Sequence, residues 1–380
     1  MPFYRHSILI ATVSLIAACD SNHEPPPPPP SEYQFTDVLN LPATGIKNQE
    51  QSGTCWCFST ASLLESEILR KTGDSIDLSE MYFVRNAYEL KARNYIFRQG
   101  TSRFTEGGSN HDPVISMQHY GMMPESAYRG FTQGDSAHNH SKLYPEMLDS
   151  VEAWADVARQ RGGSWAKGLP TIMDKYMGSV PAQFEYKGQK YTPQTFLAST
   201  GIRPEDYISI TSFSHVPFYA PFILEIPANH NNGQFYNLPL DEYMAVIDHA
   251  LDSGYTLALD TDASEPGFSG EEGLAVVAAD PANAKTIVRK MQPERTDISQ
   301  QYRQEEFESF RTVDDHNMHI TGRVQDQTGK KYLKVKNSWG PKACRNGFVY
   351  MSYPYIRLKS IYVMLHKNGL PAATRARLGL

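Results

Sequence analysis

The chain has 380 residues, of which 40% are apolar and 21% charged, with a formal net charge of −6. That length gives room for one large domain or two smaller ones. The acidic balance excludes a nucleic-acid surface, which needs a concentrated basic face, and short clusters such as Arg375 to Arg377 read as solvated surface.

The first thirty residues read as targeting rather than fold. Arg5 and His6 give a modest positive start, and Ser7 to Ala17 is an apolar run too short to span a bilayer comfortably. Ile16-Ala17-Ala18-Cys19 then places small residues before a cysteine, as in a bacterial lipobox. Residues 1–18 are expected to be a lipoprotein signal peptide, with Cys19 lipidated. An ordinary secretory signal that contains a cysteine is the alternative. Residues 19–32 hold six consecutive prolines, an extended spacer rising about 3.1 Å per residue. The expected location is the bacterial cell envelope, on a lipid anchor facing the periplasm or the outer surface.

The folded region, residues 33–380, retains Cys55, Cys57 and Cys344. Three cysteines leave at least one thiol unpaired in an exported protein. In NQEQSGTCWCFST (residues 48–60), Gly53 breaks any earlier element. Phe58, Ala61, Leu64, Ile68 and Leu69 then recur at helical spacing, and Lys71 and Gly73 mark the end of the helix. Cys55 stands at the helix N-terminus, where free N–H groups and the helix dipole favour a thiolate. Cys57 faces away and reads as a core residue.

A nucleophile needs a base and an orienting group. His316 begins an expected strand, DQTG marks a turn, and KYLKVK leads into Asn337-Ser338-Trp339-Gly340. An antiparallel hairpin brings His316 to Asn337. His319 reads as an ordinary satisfied histidine, and the polar stretches at 138–140 and around His230 as loops. No metal-ligand spacing and no cofactor motif occur.

Between these motifs, SKLYPEMLDSVEAWADVARQRG, YTPQTFLAST and Asp241 to Leu251 read as helices. DYISITSFSHVPFYAPFILEI and GYTLALDTDA read as strands, and residues 282–312 as mostly helical.

Together, GTCWCFS with an upstream glutamine, a late histidine and NSWG resemble the papain-like cysteine peptidases. Ser52 stands where the papain signature has an additional cysteine. NQ-x-x-SG-x-CW, H-x-M and K-V-x-NSWG are similar to bleomycin hydrolase and aminopeptidase C. LSEMYFVRNAYELKARNY (78–95) and EGGSNHDPVISMQHYGMMPESAYRG (106–130) carry the same resemblance. It implies an α+β, two-lobed papain-like fold with helical insertions at about 135–240 and 282–312.

The resemblance makes Cys55 the nucleophile, His316 the general base and acid, Asn337 its orienting partner and Gln49 an oxyanion-hole donor. Gly107 and Gly108 would lie against bound peptide, Trp339 would shield the His–Asn pair, and Leu380 would end a C-terminal arm inside the cleft. A surface tail is the alternative for that arm, because Arg375 and Arg377 suit solvent. Asn317 departs from the alanine usual beside the histidine. The expected activity is peptide-bond hydrolysis through a thioester, with N-terminal residues removed and homo-oligomers possible in the family. An endopeptidase of the same fold, a CWC redox protein and a catalytically inactive tethered binding module are the rivals. A redox pair would leave His316, Asn337 and Gln49 without a role.

Overall fold

The computed structural model describes residues 31–380, except 133, 135 and 167. The signal peptide, Cys19 and most of the tether therefore lie outside the described residues. Cys55, Cys57 and Cys344 are all free thiols.

The first half is mainly helical. After strand β1 (Phe35–Asn40) come α1 (Cys55–Thr72), α2 (Glu80–Phe97), α3 (His111–Tyr120), α4 (Leu143–Arg161) and α5 (Leu169–Met177). A small hairpin, β2 (Phe184–Tyr186) with β3 (Gln189–Tyr191), leads to α6 (Pro193–Thr200). Helix α1 is buried on every side from Cys55 to Ile68 and ends at Gly73, whose φ of 76° suits a residue without Cβ. Its neighbour α2 starts at Ser79, whose hydroxyl accepts from the Tyr82 N–H and so satisfies one open donor of the first turn. Trp56, Leu64, Phe83, Met117 and Met123 belong to the core that these helices enclose.

The second half is built on one large sheet. Its strands are β4 (Tyr207–Thr211), β5 (Pro221–Ile223), β6 (Gln234–Asn237), β7 (Leu257–Thr261), β8 (Phe268–Ser269) and β9 (Leu274–Ala275). The long β10 (His316–Asp326), β11 (Lys331–Lys336), β12 (Phe348–Ser352) and β13 (Ser360–His366) complete it. The order is β5-β6-β4-β13-β7-β10-β11-β12-β9-β8. Helix α7 (Leu240–Asp252) buries Tyr243, Val246, Ile247 and Leu251 in a second core with sheet residues such as Leu259, Ile320 and Val335. Three further helices complete this half: α8 (Gln300–Glu308) before β10, α9 (Tyr353–Lys359) between β12 and β13, and α10 (Ala372–Arg377) after β13.

Two local expectations change. The 206–226 stretch read as strands does supply β4 and β5, and β6 joins them in the main sheet, so only the insertion implied at 135–240 changes: it is helical only in its first part. Residues 282–312 are helical only at Pro281–Asn283 and in α8. Pro293 and Arg295, between them, pair instead with the stretch just before: the Ala279 N–H donates to the Pro293 carbonyl and the Arg295 N–H to the Val277 carbonyl, an extended pairing that a helix through proline would forbid. The sequence pattern also missed α5 and the β2–β3 hairpin.

One edge of β10 serves two partners. His316 to Ile320 pair with β7, and Gly322 to Asp326 pair with β1. At the handover a Cβ on Gly322 would lie 2.1 Å from the Leu39 carbonyl oxygen, so glycine is required for that close backbone approach. Gly322→Ala is expected to push β1 off the sheet and lower stability by about 1–3 kcal/mol, read as a lower urea midpoint. An unchanged midpoint would contradict the close approach.

Candidate active site

The N-terminus of α1 and the start of β10 meet at a cleft of about 660 Å³, lined by Gln49, Cys55, Gly107, Gly108, His316 and Trp339 among others. Cys55 is the first residue of α1, and the Thr54 side chain does not cap the helix. The Thr54 hydroxyl is held by Ser52 at 2.6 Å instead. The Cys55 sulfur therefore receives the Trp56 N–H of the first turn, and also the Asn317 N–H from β10. The second bond ties the nucleophile to the residue next to His316.

His316 Nε2 donates to Asn337 Oδ1 at 2.9 Å, leaving Nδ1 as the nitrogen free for the thiol proton. The same Asn337 oxygen accepts the Ser338 N–H at 2.8 Å, and Asn337 Nδ2 approaches Cys344 Sγ at 3.6 Å. Antiparallel pairing of β10 with β11 creates this meeting, as the DQTG turn predicts. Trp339 stacks on the His316 ring, with centroids 4.8 Å apart and planes 28° apart. The half-buried indole covers the imidazole and keeps water from it.

Gln49 is fixed from two sides. Its Oε1 accepts from Ser338 Oγ at 2.6 Å, and its Nε2 donates to the Ser52 carbonyl at 2.8 Å. One Nε2 hydrogen remains for an oxyanion formed beside Cys55. Ser338 therefore links Gln49 to Asn337, a positioning role within the NSWG motif that only the folded structure reveals.

Gly107 and Gly108 line the opposite wall. A Cβ on Gly108 would meet Asp112 Oδ2 at 2.4 Å and the Trp56 ring at 3.0 Å, so that wall requires glycine. A Cβ on Gly107 would make only an ordinary contact, so only Gly108 is sterically constrained. Buried Lys91 holds this loop, donating to the carbonyls of Thr105 at 3.2 Å, Glu106 at 3.3 Å and Gly107. Burial draws the Lys91 pKa down to about 8, against nearby Asp112 and Glu106. Its sequence signal is a lysine on the buried stripe of α2, three residues after Tyr88.

The expectation of a lowered thiol pKa is corrected. Cys55 is 9% exposed and His316 6%. Burial pushes the Cys55 thiol up to about 12, outweighing the two N–H groups, and nearby Asp260 and Asp314 push the same way. Burial also draws His316 down to about 4, against its bond to Asn337. Each group alone is thus driven to its neutral form. Moving the thiol proton onto imidazole creates both charges together, and each then offsets the other's desolvation.

The C-terminal arm also needs correction. Leu380 does not line the cleft. Helix α10 packs beside α7, where Thr374 Oγ1 donates to Glu242 at 2.6 Å and Arg377 bonds Tyr219 and Glu242. Leu378 is buried in the second core.

Other readings find their places. Cys57 is buried, its sulfur 3.2 Å from the Glu80 carbonyl. His319 meets Ser62 Oγ at 2.8 Å. The two polar loops are less bland than expected. His140 is buried against the Tyr88 hydroxyl, and His230 is buried near Asp112. Among the described residues, no group of three or more His, Cys, Asp or Glu side chains could hold a metal ion.

Comparison with known proteins identifies the family. Residues 30–162 match the papain family of cysteine proteases, and residues 181–379 match the Peptidase C1-like family. The chain is 23% identical over 374 residues to Aminopeptidase G of Lactobacillus delbrueckii subsp. lactis, covering 87% of this chain and 82% of that one. It is 22% identical over 372 residues to Aminopeptidase C of Lactococcus lactis subsp. cremoris, covering 87% and 83%. The crystal structure of PepW from Lactobacillus rhamnosis is similar in fold, with a TM-score of 0.69 and 20% identity over 90% of this chain and 84% of that one. With the Peptidase C1-like match spanning over half its length, the chain belongs to that family of papain-like cysteine peptidases.

Proposed function

We infer that this chain hydrolyses peptide bonds as a cysteine peptidase and acts as an aminopeptidase, removing residues from free peptide N-termini. The assembled Cys55, His316, Asn337 and Gln49 carry the hydrolytic reading. His316 takes the Cys55 proton as sulfur attacks the scissile carbonyl, and Gln49 with the Cys55 N–H faces the developing O⁻. The imidazolium then protonates the leaving amine, and water releases the acyl group from the thioester by the reverse use of the same histidine. The relatives named Aminopeptidase G and Aminopeptidase C, matched over most of their lengths, support the exopeptidase form.

The deciding experiment compares a fluorogenic peptide bearing a free N-terminus with its N-acetylated form. The free substrate is expected to be hydrolysed far faster. Equal rates would make the chain an endopeptidase of the same fold. No hydrolysis of either would favour an inactive binding module. Cys55→Ala is expected to abolish hydrolysis, and Gln49→Ala to lower kcat by about 10²- to 10³-fold.

The buried pair also sets a pH window. Alkylation of Cys55 by iodoacetamide is expected to fall in acid with a midpoint near pH 4, where His316 takes a proton and can no longer accept one from the thiol. The Asn337 bond raises the His316 pKa, so Asn337→Ala is expected to move that midpoint lower. A midpoint near 6.5, the ordinary histidine value, would contradict the burial argument.

The anchor is a separate part of the proposal. Lipid on Cys19 and a proline spacer would hold the peptidase domain off a bacterial envelope membrane. The small residues before Cys19 and the six prolines support it. Among the described residues no helix is long and apolar enough to cross a membrane. Cys19→Ser is expected to release the domain or leave an unprocessed precursor. Unchanged mass and membrane fractionation would rule out the anchor.

A further inference from the structure

With the C-terminus elsewhere, something else must mark the end of the cleft for a free N-terminus. The leaving amine is protonated by His316, so the leaving side lies toward that ring and Trp339. The acyl side runs the other way, past Cys55 to Gly108. Pro227, Ala228, Arg103 and Asp314 line the same cleft, and Asp112 ties Asn231 to Ser109, the neighbour of Gly108.

Residues 227–233 form a strap between the two halves of the molecule. On the sheet side, the Ala228 N–H donates to Asp314 Oδ2 at 3.1 Å. On the helical side, Asn94 Nδ2 of α2 donates to the His230 carbonyl at 2.6 Å, and Arg98 Nη2 donates to Asn232 Oδ1 at 2.6 Å. Asn231 Nδ2 donates to Asp112, whose carboxylate also accepts the Ser109 N–H beside Gly108. The strap stiffens itself as well, through Asn229 bonds to Leu224 and Gly233.

At the foot of the strap lies an unbalanced carboxyl pair. Asp260 of β7 sits opposite Asn317 in the register of β7 with β10. Its Oδ2 accepts from Asn317 Nδ2 at 2.9 Å, and its buried carboxyl is hydrogen-bonded to that of Asp314. Asp314 lies against Asp260, and both are close enough to Cys55 to act on its charge. Two other cleft carboxylates are also held by backbone N–H groups. Asp315 accepts the Ala263 and Ser264 N–H groups at 2.7 and 3.1 Å, and Glu106 accepts the Gly53 N–H at 2.6 Å. Arg103 reaches Asp314 only through longer-range charge, since no ion pair between them forms within 4 Å.

We propose that Asp314, backed by Asp260 at the foot of the 227–233 strap, receives the α-ammonium of a peptide's free N-terminus, the strap ending the cleft behind it. An ammonium supplies three donors, and Asp314, the member of the pair that lines the cleft, takes one backbone N–H at 3.1 Å and forms no ion pair within 4 Å among the described residues. Burial raises the proton affinity of both carboxyl groups, and the hydrogen bond between them raises Asp260 further while lowering Asp314, so Asp260 holds the proton and Asp314 carries the single negative charge that matches one ammonium. An acetylated N-terminus brings no charge and adds bulk toward the strap.

The proposal rests on the aminopeptidase reading, and one substrate panel separates the two. Alanyl-coumarylamide, its N-acetyl form and N-acetyl-lysyl-coumarylamide are compared at equal active-site titre, set by a thiol-directed epoxide. In the unaltered enzyme the free alanyl substrate should dominate. No preference would sink the aminopeptidase reading and this proposal with it. Given that preference, Asp314→Asn should cut the free-to-acetylated ratio of kcat/KM by at least about 10-fold. Removing Gly379 and Leu380 should leave the ratio in place. An unchanged ratio in Asp314→Asn would overturn the Asp314 assignment alone. Efficient cleavage of the acetyl-lysyl substrate, lost in Asp314→Asn, would assign Asp314 to a side-chain ammonium and overturn the α-ammonium. If Asp314→Asn yields no titratable site, the unaltered enzyme decides. Its preference for alaninal over N-acetyl-alaninal as inhibitor should fade above about pH 8, where the amine loses its proton. A preference unchanged at pH 10 overturns the proposal.

Discussion

Helix α1 lies across strand β10, and the chemistry depends on that crossing. Ser59 Oγ donates to the Met318 carbonyl at 2.7 Å across 259 residues of sequence. One turn further, Ser62 Oγ meets His319 Nδ1 at 2.8 Å and takes a bond from Lys336 Nζ at 2.8 Å. The Asn317 N–H reaches the Cys55 sulfur at the open end of the same seam. These small polar side chains let helix and strand approach closely and give partners to the Met318 carbonyl, His319 Nδ1 and Lys336 Nζ, while His319 Nε2 has none. A larger residue at Ser59 or Ser62 would separate the halves, and the nucleophile would then lose its base before any catalytic side chain had changed.

Deep in the same seam, Lys47 donates to Glu65 at 3.1 Å and Glu80 at 2.6 Å, and Glu65 also caps the Leu78 N–H at 2.8 Å. Lys47 stands two residues before Gln49, and the Gln49 N–H bonds the Ser338 carbonyl at 2.8 Å. The oxyanion donor is therefore held by the helical half through Lys47 and by the sheet half through Ser338. A shift of either half moves Gln49 relative to Cys55. That double anchoring suits a donor whose value depends on being in place before charge develops.

The parts of this site legible in the sequence are those made by near neighbours. Cys55 at a helix start follows from a glycine and an apolar stripe. His316 beside Asn337 follows from one turn between two strands. The parts that were not legible come from distant pairing. Asp260 meets Asn317 only through the β7–β10 register, and Asp314 meets Ala228 only because 227–233 crosses between the halves. Read alone, Asp314 is an aspartate in a loop and NHNN a polar stretch. The tail was misplaced for a related reason. Leu378 is one apolar residue among arginines, and its core site depends on α7, far away in sequence.

The direction of the thiol pKa was also beyond local reading. A helix terminus favours a thiolate wherever water can help, but here Cys55 is buried and most of that water is gone. What remains is a site where a lone charge of either sign is costly. The carboxyl pair at Asp260 and Asp314 adds to the cost of a thiolate, since both lie on the side that repels it. A bound ammonium would cancel that repulsion. The same contact that recognises a free N-terminus would then also lower the cost of the thiolate–imidazolium pair. A substrate lacking the ammonium would meet a nucleophile still held as its neutral thiol. Selection of the substrate and activation of sulfur become one electrostatic event, which ties exopeptidase specificity to kcat as well as to binding.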